Sequence, residues 1–188
     1  SSDLDDLAGV LRELDDVRIV VVIEGPNRTD ELQLFFDTDV AGDWKTYVQP
    51  SKGQTQCIGI AVRTDGGDFA DPPFEPFDTG AISAFDAFTF DSDSDGIDET
   101  YRFERRPLYV KINLASGAEF RVLGLHLKSK GIFAAYEWSK WWQIADANRR
   151  KLLAQATQLR VRFIDPYLRA AATSDIPLLV CGDINDGP

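Results

Sequence analysis

Methionine is absent from the 188 residues, histidine occurs once and cysteine twice. A chain without Met even at position 1 is expected to begin downstream of its natural start. Cys57 and Cys181 sit in apolar, strand-like runs with no CxxC spacing, which points to small buried residues and away from a disulfide or a metal site. The longest apolar run, around Val20 to Ile23, falls far short of the roughly 20 residues that cross a bilayer, so no membrane-spanning helix is expected. Basic side chains are the scarcer sign, 20 Lys and Arg against 31 Asp and Glu, for a formal net charge of −11. The opening SSDLDDL is acidic where a secretory signal is basic and then apolar. That fits a cytosolic or an already processed chain and leaves the compartment open, as it does the oligomeric state.

With 44% hydrophobic and 27% charged residues, the chain has the material for one globular domain or a large piece of one. Its charge is unevenly spread. Residues 1–101 carry 6 basic and 23 acidic side chains, and residues 102–188 carry 14 and 8. A face able to hold a polyanion can therefore come only from the second half. Solvation of helix surfaces is the alternative use of each of those Lys and Arg residues.

Periodicity predicts an α/β chain. Leu4, Leu7, Leu11 and Leu14 recur at helical spacing, with Ser2 or Asp3 as the cap, and DDVRIVVVIEG follows as a strand apolar on both faces. Thr29 is placed to cap a second helix through about Asp37, packed through Leu32, Phe35 and Phe36. Residues 56–62 read as a strand, and residues 64–100 as an acidic surface loop rich in Gly, Pro and Asp. PLYVKINL and EFRVLGLHLKS alternate with a period of two about the ASGA turn, which makes a hairpin. A long helix follows, with Trp138, Trp141, Ala145, Leu152, Ala156, Leu159 and Phe163 on one stripe and Pro166 at its end. Its tryptophans, like Trp44, are expected to pack. The last strand runs to Gly182, with Asp183, Asn185 and Asp186 on the loop beyond.

Reactive side chains recur where these strands end. Glu24 follows VVVI, His126 lies in GLHLKS, and Asp183 and Asn185 follow LLVCG. In open α/β sheets strand ends converge, so such residues can share one crevice. Glu24 offers a hard oxygen ligand for Mg²⁺, or else an acidic residue ahead of a helix N-terminus. His126 is a core histidine or a site residue, and Asp183 with Asn185 is a base beside an amide or simply a turn.

The segments VVVIEG, ERRPLYVKINL, VLGLHLKSKG and LLVCGDIND resemble, in order and approximate spacing, the endonuclease/exonuclease/phosphatase superfamily that includes pancreatic deoxyribonuclease. HLKSKG and GDIN carry most of the likeness. It implies a single domain over residues 1–188: an α/β layered sandwich with mixed central sheets and outer helices, here without its terminal strands. It also implies that Glu24 binds Mg²⁺ or Mn²⁺ and that His126 hydrogen-bonds the scissile phosphate. Asp183 would orient or deprotonate water, and Asn185 would hold a phosphate oxygen. Arg105 matches a family arginine near the site, and Lys128 adds positive potential. Ile23 stands where the family usually has Gln, and Gln49 where some relatives have a glutamate paired with the histidine. The family's first-strand asparagine and its Asp-His pair near the carboxyl end have no counterpart in the sequence. Truncation at both ends is therefore expected, with a fragment inactive by itself.

One further motif stands outside that likeness. In FDSDSDGIDETYRF, Asp91, Asp93 and Asp95 alternate ahead of Gly96, as in the opening of a calcium loop, with Glu99 at the ninth position. Arg102 stands at the twelfth, where such loops place a bidentate Glu. The expectation is metal-dependent in-line attack of water on phosphorus, by a nuclease or general phosphodiesterase whose basic second half meets nucleic acid. The alternatives are a lipid or small-molecule phosphatase of the same superfamily, or a non-catalytic domain that interacts through Ca²⁺.

Overall fold

A computed structural model describes residues 3–13, 16–51, 56–129 and 138–185. Ser2, Leu14 and Asp186 lie outside them, as do the side chains of Leu4 and Trp138. The chain alternates helices and strands: α1 (Asp3–Glu13), β1 (Ile19–Gly25), α2 (Thr29–Asp39), β2 (Trp44–Val48), β3 (Cys57–Arg63) and β4 (Phe69–Pro76). Two short 3-10 turns, Thr79–Ala81 and Ser83–Phe85, lead into β5 (Phe88–Phe90) and β6 (Glu99–Tyr101). The hairpin β7 (Leu108–Leu114) and β8 (Glu119–His126) follows. After it come α3 (Trp138–Leu159), a π turn at Arg160–Ile164, α4 (Asp165–Arg169) and β9 (Leu178–Asp183).

The strands form two sheets and a small ribbon. The first sheet, ordered β1-β3-β2, is antiparallel throughout. The second, ordered β4-β7-β8-β9, is mixed, because β9 runs parallel to β8. Buried aliphatics decide how these pack. Ile58, Ile60 and Val62 of β3 meet Leu108, Val110, Ile112 and Val122 of the hairpin, a dry layer between the sheets. The other face of β3, through Cys57 and Ala61, packs on Leu32 and Phe36 of α2. Tyr109, Leu123 and Leu125 turn the opposite way, onto Leu152, Leu159, Phe163 and Tyr167 of α3, the π turn and α4. Helix, sheet, sheet and helix thus stack as an α/β sandwich, since each sheet must bury both faces.

Several expectations need correction. Thr29 does not cap α2: the cap position is Arg28, without a side-chain bond, and Thr29 Oγ1 instead accepts from the Val48 amide at 3.1 Å. Leu7 is 44% exposed, because α1 turns Ala8 inward. Residues 64–100 are not merely a loop, since β4 forms the edge of the second sheet and buries Pro73. Edge strands tolerate prolines because one side of their backbone needs no ladder bond. β1 is half-buried along Ile19–Ile23 and forms an edge of the first sheet, where a fully covered strand is expected. Ala156 is exposed. Pro166 occupies the first turn of α4, so the helical path continues past it to Arg169. Pro fits there because the π turn just before it, in which the Asp165 amide donates to the Arg160 carbonyl, interrupts the regular i→i−4 ladder. Both cysteines are free, and Trp44 is buried against Phe36.

Candidate functional site

Inward-facing residues of β8 alternate as Val122, Gly124 and His126, so the histidine closes the layer between the two sheets at its rim. The parallel register pairs His126 with Asp183, the last residue of β9. β1 ends at the same rim. Between Val22 and Gly25 its pairing with β3 slips, and Glu24 adopts φ 59°, a left-handed conformation that costs a non-glycine residue about 1–3 kcal/mol. Such an irregularity re-aims a side chain out of the pleat.

His126 is the hub. Its Nε2 lies 3.7 Å from Glu24 Oε1 and 3.8 Å from Asp183 Oδ2, too long for direct hydrogen bonds and close enough for strong electrostatic coupling. The imidazole is buried, whereas both carboxylates are about half exposed. Burial lowers the His126 pKa from its ordinary 6.5, helped by Arg105 and opposed by Asp183, Glu24 and Glu104. The ring is therefore neutral at pH 7. Its Nδ1 has no hydrogen-bond partner among the described residues.

Arg105 supplies the cation. Its Nη2 donates to Gln56 Oε1 at 2.6 Å and stands 3.8 Å from Glu24 Oε1, with the side chain mostly buried. Behind it, Glu104 is held below the usual carboxylate range: burial pushes its pKa up, but the Lys151 ammonium, Lys128 and Arg105 together outweigh that. Lys128 is half-buried, and its backbone N–H donates to Gln155 Oε1 at 2.8 Å. Gln155 also donates to the Arg102 carbonyl at 2.9 Å, which fastens α3 to both segments that border the rim.

The strand β9 stops at Asp183. Asn185 has φ 56°, and its Nδ2 donates to the Leu127 carbonyl at 3.0 Å, so one of its two N–H bonds is already used. Its backbone N–H donates to Asp183 Oδ1, also at 3.0 Å. Gly182 makes this turn possible: at φ 121° a Cβ there would lie 2.1 Å from the Leu125 carbonyl oxygen. Glu24, His126, Asp183 and Arg105 thus gather at one rim, with Asn185 tied to its border. Gln56, Gln155 and Glu104 are supporting residues that pattern reading missed; a glutamine on the packed stripe of α3 was the one available signal.

The acidic triplet lies elsewhere, on the ribbon between β5 and β6. Ligand atoms of Asp91, Asp93 and Asp95 come within 4.8 Å of one another. Asp91 accepts from the Asp95 and Gly96 amides, Asp95 from the Ile97 amide, and Asp93 pairs with Arg150. Glu99 is not part of the trio: its carboxylate accepts from the backbone and hydroxyl of Ser92, both at 3.2 Å.

Several cations of the basic second half have acidic partners among the described residues. Lys111 pairs with Glu75, Arg121 with Glu119, Arg150 with Asp93 and Asp146, Lys151 with Glu104, and Arg160 with Asp165. No helix among the described residues is long and apolar enough to cross a membrane. Compared with known proteins, the chain matches no family model, no curated protein and no solved structure.

Proposed function

We propose that the chain is a divalent-metal-dependent phosphoester hydrolase whose centre is the rim joining Glu24, His126, Asp183 and Arg105. The supporting observation is the single imidazole nitrogen set 3.7 and 3.8 Å from two half-exposed carboxylates on different sheets. Glu24 is an exposed hard oxygen donor, 3.8 Å from the Arg105 guanidinium, and is suited to Mg²⁺ or Mn²⁺. A bound ion would neutralise charge on the phosphoryl group as it transfers. Arg105 adds fixed positive charge from a mostly buried position, where its field is least screened. The neutral His126 ring donates a hydrogen bond from Nε2 to a phosphate oxygen. Asp183 orients and deprotonates the attacking water, held in place by the Asn185 amide. Asn185 retains one N–H for the phosphate.

The full chain should hydrolyse bis(p-nitrophenyl) phosphate with MgCl2 or MnCl2 and lose that activity in EDTA. Asp183→Asn and His126→Gln should each lower kcat by about a hundredfold or more. Turnover that ignores the metal, or that survives both substitutions, sinks the proposal. Nucleic acid is the less favoured ester, because Lys111, Arg121, Arg150, Lys151 and Arg160 already have acidic partners. A second reading, Ca²⁺ bound by Asp91, Asp93 and Asp95 on the ribbon, rests on the convergence of their carboxylates. It requires CaCl2 to raise the thermal midpoint, and Asp93→Asn to abolish that rise.

A further inference from the structure

The helical layer formed by α3, the π turn and α4 is buried on one side only. Leu152, Leu159 and Phe163 face the second sheet. On the opposite side Trp142, Arg149, Leu153, Ala156 and Arg160 recur at spacings of seven, four, three and four, which places them on one line along the rod, and all five are exposed. Trp142 is 66% exposed and Leu153 52%; Val161 in the π turn and Leu168 in α4 follow at 55% and 56%. A single exposed leucine is ordinary. Four large apolar side chains turned outward along about 40 Å of helix are a surface feature that calls for a partner.

The charges between them are of one sign. From Trp138 to Arg169 the layer carries 7 basic residues against 2 acidic ones, Asp146 and Asp165, in a chain of net charge −11. Arg150 and Lys151 turn to the flanks, onto Asp93, Asp146 and Glu104. Arg149 and Arg162 have no acidic partner among the described residues, and Asp165 alone serves Arg160 and Arg169, whose side chains remain largely in solvent. The acidic first layer is remote from this face. α1 and α2 stand behind two sheets packed about 10 Å apart, beyond a screening length of about 8 Å at 150 mM salt. The arginines and the bordering acidic ribbon therefore set the field on the outer side of α3.

The shape and the mixture of side chains select the partner. A protein partner is held by anchors seated in pockets, and a nucleic acid by cations and polar groups along its phosphates. This face is a convex rod with apolar tips between arginines. The cleft of about 1110 Å³ beside Arg105 and the groove of about 560 Å³ between α1, β1 and α2 are lined by none of its residues. A fluid surface needs no matching pocket: Trp and Leu enter its acyl boundary while the arginine stems carry their guanidinium groups to anionic head groups. We propose that the outer face of α3 and α4 docks on an anionic lipid surface, with the rod lying in the plane of the interface. It lies on the bilayer without spanning it, since neither helix is long and apolar enough to cross. The inference is independent of the hydrolase reading.

Flotation of the full chain with vesicles tests this, in EDTA so that no divalent ion bridges lipid to the acidic layer. The chain should partition onto phosphatidylcholine vesicles containing about one third phosphatidylserine, and about tenfold less onto phosphatidylcholine alone. Arg149→Gln combined with Arg162→Gln should weaken that binding about tenfold or more, whereas Arg149→Lys with Arg162→Lys should keep it. Trp142→Ser combined with Leu153→Ser should weaken it about tenfold as well. All four positions are exposed, so the thermal midpoint of each variant should match that of the unmodified chain. Absence of flotation with the phosphatidylserine vesicles, or flotation that survives both the Gln and the Ser pairs, overturns the inference. So does a loss confined to the Gln pair, which would mean a charged face with no insertion. A DNA duplex or polyglutamate bound more tightly than the vesicles, at equal concentration of negative charge, would overturn lipid in favour of a nucleic acid or an acidic protein.

Discussion

Histidine occurs once in this chain, so its titration can be read in the stability of the whole. Burial, with help from Arg105, holds the folded His126 pKa below the ordinary 6.5. Between the two values the unfolded chain binds the additional proton, so stability is fully present above about 6.5 and is lost as pH falls towards the folded value. In metal-free buffer the urea midpoint should therefore decline as pH is lowered from 7 through 6. His126→Gln should flatten the decline in that window, and an unchanged slope would refute the assignment. Gly182 gives a second single-residue test. Both its φ of 121° and the 2.1 Å approach to Leu125 oppose any side chain, so Gly182→Ala should cost about 3 kcal/mol or more in urea unfolding.

Among the elements, α3 and the rim are linked through one amide. Gln155, 1% exposed, satisfies the Lys128 N–H and the Arg102 carbonyl together. Gln155→Leu keeps the volume and strands both backbone groups, so it should destabilise by about 2–4 kcal/mol, measured as a urea midpoint shift at constant slope. The elements bearing Glu24, His126 and Asp183 were the legible ones: β1, the β7–β8 hairpin and β9 have runs of Val, Ile and Leu that declare themselves. β2 was not legible, because WKTYV is short and its burial depends on α2 and the second sheet. β4 was hidden by its prolines, which an edge strand accommodates and a local pattern cannot. The site shows the same division. Strand-end position pointed to its reactive residues, but the slip that re-aims Glu24 and the cleft beside Arg105 arise only when separate elements meet.

On the scale of the whole molecule, the charge asymmetry along the sequence becomes an asymmetry across layers. The first sheet with α1 and α2 derives from the acidic half, and the second sheet with α3 derives mostly from the basic half. The acidic stretch before β7 lies against that second layer, and Glu75 and Asp93 neutralise Lys111 and Arg150 there. With a net charge of −11, an anionic ester approaches against a repulsive field. Raising KCl from 10 to 150 mM shortens the screening length from about 30 Å to about 8 Å and should weaken that repulsion. With Mg²⁺ held saturating, KM for a small anionic ester should fall about twofold over this range while kcat stays constant, because Arg105 and Glu24 act within 4 Å and are screened little. A KM that rises steeply with salt would mean that counterions are released from a cationic surface. The molecule would then be a binder of polyanions, and the pairing of its second-half cations would not hold in solution.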